Sequence, residues 1–546
     1  LVNQAPAHKQ SDTLFRFRLH GKAWQVVGLD MAEYKNRHAT QWYDRIWHTI
    51  RHKVREPLDP FPETSIYKRL TQEAYEAIKN SRDPDYVKTR KARGSIFSSL
   101  LAFASARQMG DKYFVDGTYE GDIVVDATPI ETLTYGNWEG DLRPSNADAG
   151  YYIRTGDHNG GDSPTVRKKL WGYDLTVVEA TGGYFTGDMP KPIIGLSLDN
   201  PGVQPGYNAR AALAVYENAV FAADDGEDLM LPRGLAVGDM AYSPGSDAQA
   251  YQIHMWLAGW SVMGQTPKRP EARGVSFSYE GMVLIDGKPY SPAITSFPDL
   301  LDPKSELDAK VVSREVFDER IQRRKAFELS VHEVREDRSI RFACPALRGA
   351  VQCPKRKADI KARKAAAKKT LAGKTPLPLT VKNVPTTSAE GKICSQKTVL
   401  VDVSDETKTF WKYYTPGPAT YSREWEEIYR PLRAMIESKN GVFKSEVAIG
   451  LGERTKRYMR GYAAFVLFVG VAAVVTNWVT AQKYLKRRRD EALRPPPRGG
   501  RPKKKRAEED KLLDVAAAKL RRRSARRHRR PRDPSRGRGL HAVAGC

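Results

Sequence analysis

The sequence predicts a mixed α/β fold: a sheet with helices packed on it, a helical region before it, an insertion within it and a basic tail after it. Three observations carry this. Runs of β-branched residues such as "IVVDATPI" and "LWGYDLTVVEA" read as strands, Ala-rich segments between later runs read as helices, and residues 30–110 show no strand alternation.

The first region, 1–115, reads as mostly helical. "ATQWYDRIWHTIRHKV", "RLTQEAYEAIKNSR" and "GSIFSSLLAFASARQMG" carry aromatic and apolar residues at irregular helical spacing. Its Arg and Lys residues are open to two roles, contact with DNA or plain packing. From residue 116 to 265 the pattern becomes three strands, helix, strand, helix, strand. The strands are "GDIVVDATPIETLTYG", "LWGYDLTVVEAT", "PIIGLSLDN", "GLAVGDMAYSPG" and "WSVMGQT", with "YYIRTGDHNGGDSPTVRKK" as a polar connection between the first two. The helices are "YNARAALAVYENAVFAADDG" and "SDAQAYQIHMWLAG", the latter with Ser246 or Asp247 as its cap. Residues 266–420 break the rhythm and read as an inserted subdomain, with the hairpin "GMVLIDGKPYSPA" and the basic run "KRKADIKARKAAAKK". The helical pattern resumes over 421–482.

The net charge of +25 is concentrated at one end. Residues 483–546 hold 24 Lys+Arg and 7 Asp+Glu, a net of +17, which leaves +8 for the other 482 residues. Poor in apolar residues and rich in Arg, Pro and Gly, this tail buries too little surface to offset its ordering entropy and is expected to be disordered. It reads either as a sequence-blind arm on nucleic-acid phosphates or as a solvated end. Four cysteines argue against a disulfide scaffold and for a reducing compartment. Cys344, Cys353 and Cys394 match no common zinc spacing, so buried free thiols are expected rather than zinc. "GDHNGGD" lacks the terminal acid of a calcium loop and reads as a turn. "LVNQAPAHKQSDTLF" has no continuous apolar core of the signal-peptide kind, and a start at Leu1 is expected of a fragment or a non-standard start.

Between Arg460 and Lys483, "GYAAFVLFVGVAAVVTNWVTAQ" contains no charge and is long enough to span a membrane. Its Ala, Gly, Asn477 and Gln482, with basic residues on both flanks, suit a helix buried in a large core equally well.

Three acids stand out. Asp126 lies inside "IVVDATPI", where a charged, unpaired carboxylate costs several kcal/mol, so it is a ligand or a partner of something basic. Asp239 ends "GLAVGDMAYS", and chemistry in such sheets gathers at carboxyl ends of strands. Glu437 lies in "RPLRAMIESKNGVFK", where Arg433, Glu437, Asn440 or Gly441, and Lys444 fall on or near one helical face. Three carboxylates from separate elements suit two Mg²⁺ ions and phosphodiester chemistry. Pairing with Arg or Lys, or capping of turns, is the structural alternative for each.

"IVVDATPI", "GLAVGDMAYS" and "RAMIESKNGVFK", in that order with an insertion before the third, resemble bacterial insertion-sequence transposases of the Asp-Asp-Glu type. "YVKTRKARGSIFSSLLAFASARQMGDKYF", "LWGYDLTVVEA", "GMVLIDGKPYSPA" and "RGYAAFVLFVGVAAVVTNW" extend the resemblance, to actinobacterial members in particular, over roughly residues 80–480. Many members carry Tyr, two residues, Arg, three residues, Glu, six residues, Lys. Arg433, Glu437 and Lys444 fit that spacing, whereas Arg430 takes the Tyr place and Tyr429 lies one position earlier. The resemblance implies a ribonuclease-H-like core and a DNA transposase that cuts transposon ends and joins them to target DNA. It implies Asp126, Asp239 and Glu437 as catalytic and metal-binding acids for two Mg²⁺, with Mn²⁺ as a substitute. It implies DNA contacts from Tyr429, Arg433, Asn440 and Lys444, with inverted-repeat and target DNA as partners. A homodimer assembled on DNA, a bacterial cytoplasmic, nucleoid-associated location and a core-packed apolar helix without a membrane follow from it too. A nuclease of the same core without strand transfer, and a degenerate non-catalytic DNA-binding protein, stay open beside it.

Overall fold

A computed structural model describes residues 39–62, 69–107, 114, 119–133, 141–144, 146–154, 168–181, 189–222, 228–265, 274–355, 368, 379–381, 391–445, 450–453 and 460–493. The "GDHNGGD" turn, nearly all of the basic run and the tail after 493 lie outside these residues.

The described part of the N-terminal region is mostly helical, at Ala39–Thr49, Ile50–Arg55, Glu56–Leu58, Gln72–Ser81 and α1 (Pro84–Arg107). The sheet follows. Its strands are β1 (Ile123–Glu131), β2 (Gly150–Arg154), β3 (Lys168–Ala180), β4 (Ile193–Asp199), β5 (Leu235–Val237) and β6 (Ser261–Met263). β3 is antiparallel to β1, β2 and β4, while β1, β5 and β6 run parallel to one another. The order across the sheet is β3, β1, β5, β6, with β2 and β4 end to end along the free side of β3. Helices α2 (Pro205–Asn218) and α3 (Gln252–Ala258) connect the later strands.

Alternation divides β1 between two cores. Val124 and Ile130 face one buried cluster that includes Ile436, Phe443 and Phe465, while Ile123 and Val125 face another built around Tyr216, Tyr242 and Trp260. Helix and sheet approach tightly where side chains are small. A Cβ on Gly195 of β4 would sit 2.1 Å from the carbonyl oxygen of Ala212 in α2.

Several expected elements differ. The polar connection contains β2, paired with residues 168–172; its Gly- and Asp-rich centre hides two short strands around it. The end of the expected helix at 207–226 is instead a strand, Val220–Ala222, paired with Asp228–Met230. Ser246 and Asp247 do not cap α3, which starts at Gln252. Ser246 donates to Ala241 O at 2.7 Å, tying a turn rather than a helix end.

The insertion has one core of its own and shares a second with Ala248 and with Ile253 and Trp256 of α3. Two three-stranded sheets, at 275–290 and at 330–343 with 398–401, pack with short helices. The expected hairpin is Met282–Ile285 with Lys288–Tyr290, joined through Asp286-Gly287, both at positive φ. Arg324, 1% exposed, is paired with Asp286 at 2.5 Å. Among the described residues Cys344, Cys353 and Cys394 form no disulfide, and Cys344 is buried and the others partly so.

The chain then returns to the sheet through α4 (Arg423–Lys444) and α5 (Tyr462–Ala492). Ser422 caps α4 by accepting from Trp425 N at 3.2 Å. Neither Pro431 nor Asn440-Gly441 interrupts α4. α5 carries the uncharged segment and is the one helix among the described residues long and apolar enough to cross a membrane. Half of its apolar window is buried inside the protein. It runs beside α1, and a Cβ on Gly470 would fall 2.8 Å from Leu101 Cδ1. Asn477 is fully buried in that contact. It accepts from Ile193 N at 2.7 Å and donates to Ile193 O, Ala102 O and Ser105 Oγ at 2.8–3.0 Å. Residues 483–492, expected to begin the disordered tail, are the last turns of α5, because the helix continues without a breaker.

Candidate active site

One helix crosses four strands, and its side chains make the site. From its start, α4 places Trp425 Nε1 on Gly264 O at 3.2 Å, just past β6, and Tyr429 Oη on Gly238 O at 3.2 Å, just past β5. The two rings stack at 4.3 Å. One turn later Arg433 Nη1 donates to Asp126 Oδ1 at 3.1 Å, and Asn440 Nδ2 donates to Asp126 Oδ2 at 2.9 Å, both on β1. Lys439 then stands 3.2 Å from Glu179 of β3 and donates to Lys191 O at 2.8 Å and Thr480 Oγ1 at 3.1 Å. The apolar face of α4 (Leu432, Ile436, Phe443) is buried between these polar rungs.

Asp126 is therefore an acid in a strand whose two oxygens are both satisfied from α4. Burial raises its pKa, the Arg433 guanidinium opposes that rise, and the nearby charge of Asp239 adds to it. Burial works against the charge on Arg433 as well, but Asp126 and Asp239 outweigh it and raise its pKa. Asp239 stands two residues past β5. The parallel register sets Val237 against Val124, so continuing it by two brings Asp239 level with Asp126. Asp239 accepts from Ala241 N at 2.9 Å through Oδ1 and is partly exposed. Glu437 is 63% exposed, and Arg433 Nη2 donates to it at 3.4 Å.

The structure thus brings Asp126 and Asp239 together and places Glu437 on their rim, with Arg433 bridging Asp126 and Glu437. Among the described residues no group of three His, Cys, Asp or Glu side chains converges closely enough to hold a metal ion. Tyr429 and Asn440, expected at DNA, are turned inward at 6% and 8% exposure and hold protein groups instead. Buried and flanked by acids, the Tyr429 hydroxyl has its pKa raised by burial first, with Asp239 and Asp126 adding to the rise against the pull of Arg433. Lys444 is half-buried at the end of α4, and its charge acts on Asp174 of β3.

Two acids escaped the sequence reading. Asp174, opposite Pro129, has its pKa pushed up to about 6 by burial and then by the charge of Asp126. Glu179, fully buried beside Lys439, is raised to about 7 by burial, with Lys439 and Lys191 pulling the other way. The signal was present: both lie in "LWGYDLTVVEA", apolar around its acids as "IVVDATPI" is around Asp126.

Compared with protein-family models, curated proteins and solved structures, the chain matches none.

Proposed function

We propose that the chain is a DNA transposase that cuts phosphodiester bonds at the ends of its own element and transfers the freed 3′-hydroxyl to target DNA. The observation that carries this reading is α4 itself. The helix bearing the Arg-Glu-Lys spacing lies across the strand ends and bonds both oxygens of Asp126. Its Tyr429 fastens the residue before Asp239. Three acids far apart in sequence are thereby organised by one element. The fold supports the same reading. Three antiparallel strands followed by two parallel ones, in the order β4, β3, β1, β5, β6, are what a ribonuclease-H-like core requires.

The donor set fits a hard divalent cation. Asp126, Asp239 and Glu437 offer carboxylate oxygens only, and the Arg433 cation already stands between two of them as a counter-charge. These three residues would hold Mg²⁺, which when bound supplies an activated water or hydroxyl and stabilises the leaving oxygen. For Glu437 to join Asp126, Arg433 must give up its bridge to one of them. Released toward DNA, Arg433 neutralises a phosphate, as does Lys444; such contacts set register rather than sequence. Asn440 keeps the Asp126 carboxylate oriented while Arg433 moves, and Tyr429 holds the backbone at Gly238 so that Asp239 stays level with Asp126.

The test is strand cleavage on DNA carrying the terminal repeats that flank the gene, with Mg²⁺ or Mn²⁺. Wild-type protein nicks at the repeat boundary and yields joined products, and Asp239→Ala and Glu437→Ala do neither. Cleavage without joining indicates a nuclease of the same core. Normal cleavage by either variant overturns the assignment of the acids.

A further inference from the structure

The three acids read as metal ligands stand around a cation that the chain itself supplies. The two terminal nitrogens of Arg433 are spread over two carboxylates. Nη1 donates to Asp126 Oδ1 at 3.1 Å and Nη2 to Glu437 Oε1 at 3.4 Å. The charge of Asp239 acts on the same guanidinium. The Arg433 side chain is 16% exposed, so its charge sits down among the acids rather than out in solvent. Asn440 Nδ2 donates to Asp126 Oδ2 at 2.9 Å, so both oxygens of Asp126 are already engaged.

A guanidinium between two carboxylates meets the same need as a divalent ion, since it compensates their charge where burial works against it. The two cannot share the place. An ion on Asp126 Oδ1 would repel Arg433 and take its partner from it. Glu437, on the rim at 63% exposure, is joined to Asp126 through Arg433. A phosphate can draw this cation off, because it offers guanidinium the same forked acceptor as a carboxylate. The approach is open on that side of α4. Arg430, three residues earlier, is 70% exposed, and an added Cβ on Gly441 would meet nothing within 4 Å. When Arg433 leaves, Asn440 still holds Asp126 Oδ2, so Oδ1 is the oxygen that comes free, on a carboxylate already aimed.

We infer that Arg433 is a latch on the metal site, a tethered stand-in that keeps Asp126 and Glu437 from taking a divalent cation until a DNA phosphate draws it away. On the reading that the chain cuts DNA with a divalent metal, on which this rests, the order of assembly is duplex first and metal second. The DNA-free protein then holds no loaded site and makes no stray cuts. Binding free energies are reciprocal, so a duplex that tightens the metal is tightened by it to the same factor.

The experiment follows Mn²⁺ binding to the full chain by electron paramagnetic resonance, first without DNA and then with a duplex bearing the element's end. The wild type binds Mn²⁺ weakly alone and about 5–150-fold more tightly with the duplex, the usual span of such coupling. Phosphate oxygens can also ligate the ion, so the deciding comparison is the one without DNA. There Arg433→Gln binds Mn²⁺ about tenfold or more tightly than the wild type. Arg430→Gln removes the same charge from the exposed side of α4, where it is screened, and changes the affinity by less than about twofold. Arg433→Lys keeps the charge but loses the fork, gains less in the same direction, and carries the test if Arg433→Gln does not fold. Adding Asp126→Asn to either Arg433 variant abolishes the gain. DNA-free affinity no higher in the Arg433 variants than in the wild type overturns the latch. So does an equal gain in Arg430→Gln, a gain that survives Asp126→Asn, or a wild-type affinity that the duplex does not raise. Wild-type protein that takes up Mn²⁺ with the duplex but cuts nothing overturns the transposase reading and leaves the latch standing.

Discussion

Replacing Asn477 by Leu separates two accounts of the apolar helix, because they predict opposite signs. Leu has the branching of Asn with bulkier ends, so the substitution leaves no cavity and acts through lost hydrogen bonds, with overpacking of this buried site in the same direction. In the folded protein Asn477 accepts from Ile193 N at 2.7 Å and donates to Ile193 O at 2.8 Å, both buried where β4 begins. A buried donor or acceptor left without a partner costs about 1–3 kcal/mol. Two such groups set the loss at about 2–6 kcal/mol, a large part of ordinary stability. Ala102 O and Ser105 Oγ add little, since Ser105 Oγ already donates to Ala102 O at 2.7 Å. If α5 crossed a bilayer, the same change would favour it, since Leu is preferred over Asn among lipid tails. A chain with several cores has no single unfolding free energy, so the readout is hydrogen–deuterium exchange of peptides covering Ile193. A loss of about 3 kcal/mol speeds their exchange more than a hundredfold. Unchanged exchange in Asn477→Leu, or movement of the variant into the membrane fraction, refutes the packing argument.

Three further outcomes follow from the same structure. Glu437→Gln removes an acid that is 63% exposed and tied only loosely to Arg433, so hydrogen exchange of peptides covering α4 changes by less than about threefold, the equivalent of about 0.5 kcal/mol, while metal-dependent cleavage is lost. A large loss of stability would show the acid to be structural. At Gly441 an added Cβ meets nothing within 4 Å, so Gly441→Ala strengthens α4 by about 0.5–1 kcal/mol. If cleavage also falls, the glycine is kept for close approach of DNA; if cleavage is unchanged, that role is excluded. Glu179 holds its proton up to about pH 7 when folded, against 4.5 in its ordinary state. Folding therefore takes up a proton between those values, and stability declines as pH rises from 4.5 to 7, by at most about 3 kcal/mol, then levels off. Denaturation midpoints from pH 5 to 8 show that slope in the wild type, and Glu179→Gln removes its part between pH 6 and 7 while leaving the part below, to which Asp174, raised to about 6, also contributes; a slope between pH 6 and 7 that survives the substitution assigns it to another group.

What the sequence disclosed was local, and what it withheld was long-range. Asp126 was legible because an acid among β-branched residues needs a partner, and Asp239 because it ends a strand. The partners themselves lie 307 and 314 residues away, in Arg433 and Asn440, and no period or spacing connects them. Tyr429 looked one place out of step with a DNA-contacting signature. In the fold its hydroxyl holds Gly238 O, so the offset matches an inward role. β2 was missed because a strand of five residues beside a Gly-rich sequence gives too short an alternation to stand out. The core position of the apolar segment turns on Asn477, whose four hydrogen bonds only the packed structure reveals.

The account centres on α4 delivering Glu437 to Asp126 and Asp239 for metal-dependent strand cleavage. The most direct measurement is cleavage of end-labelled DNA carrying the flanking repeats, with and without Mg²⁺, by the wild type, Asp126→Asn, Asp239→Ala and Glu437→Ala. The account predicts a nick at the repeat boundary, a free 3′-hydroxyl and joined product from the wild type with metal, and none of these from any variant. Metal-independent cleavage, or a variant that cuts as the wild type does, would contradict it.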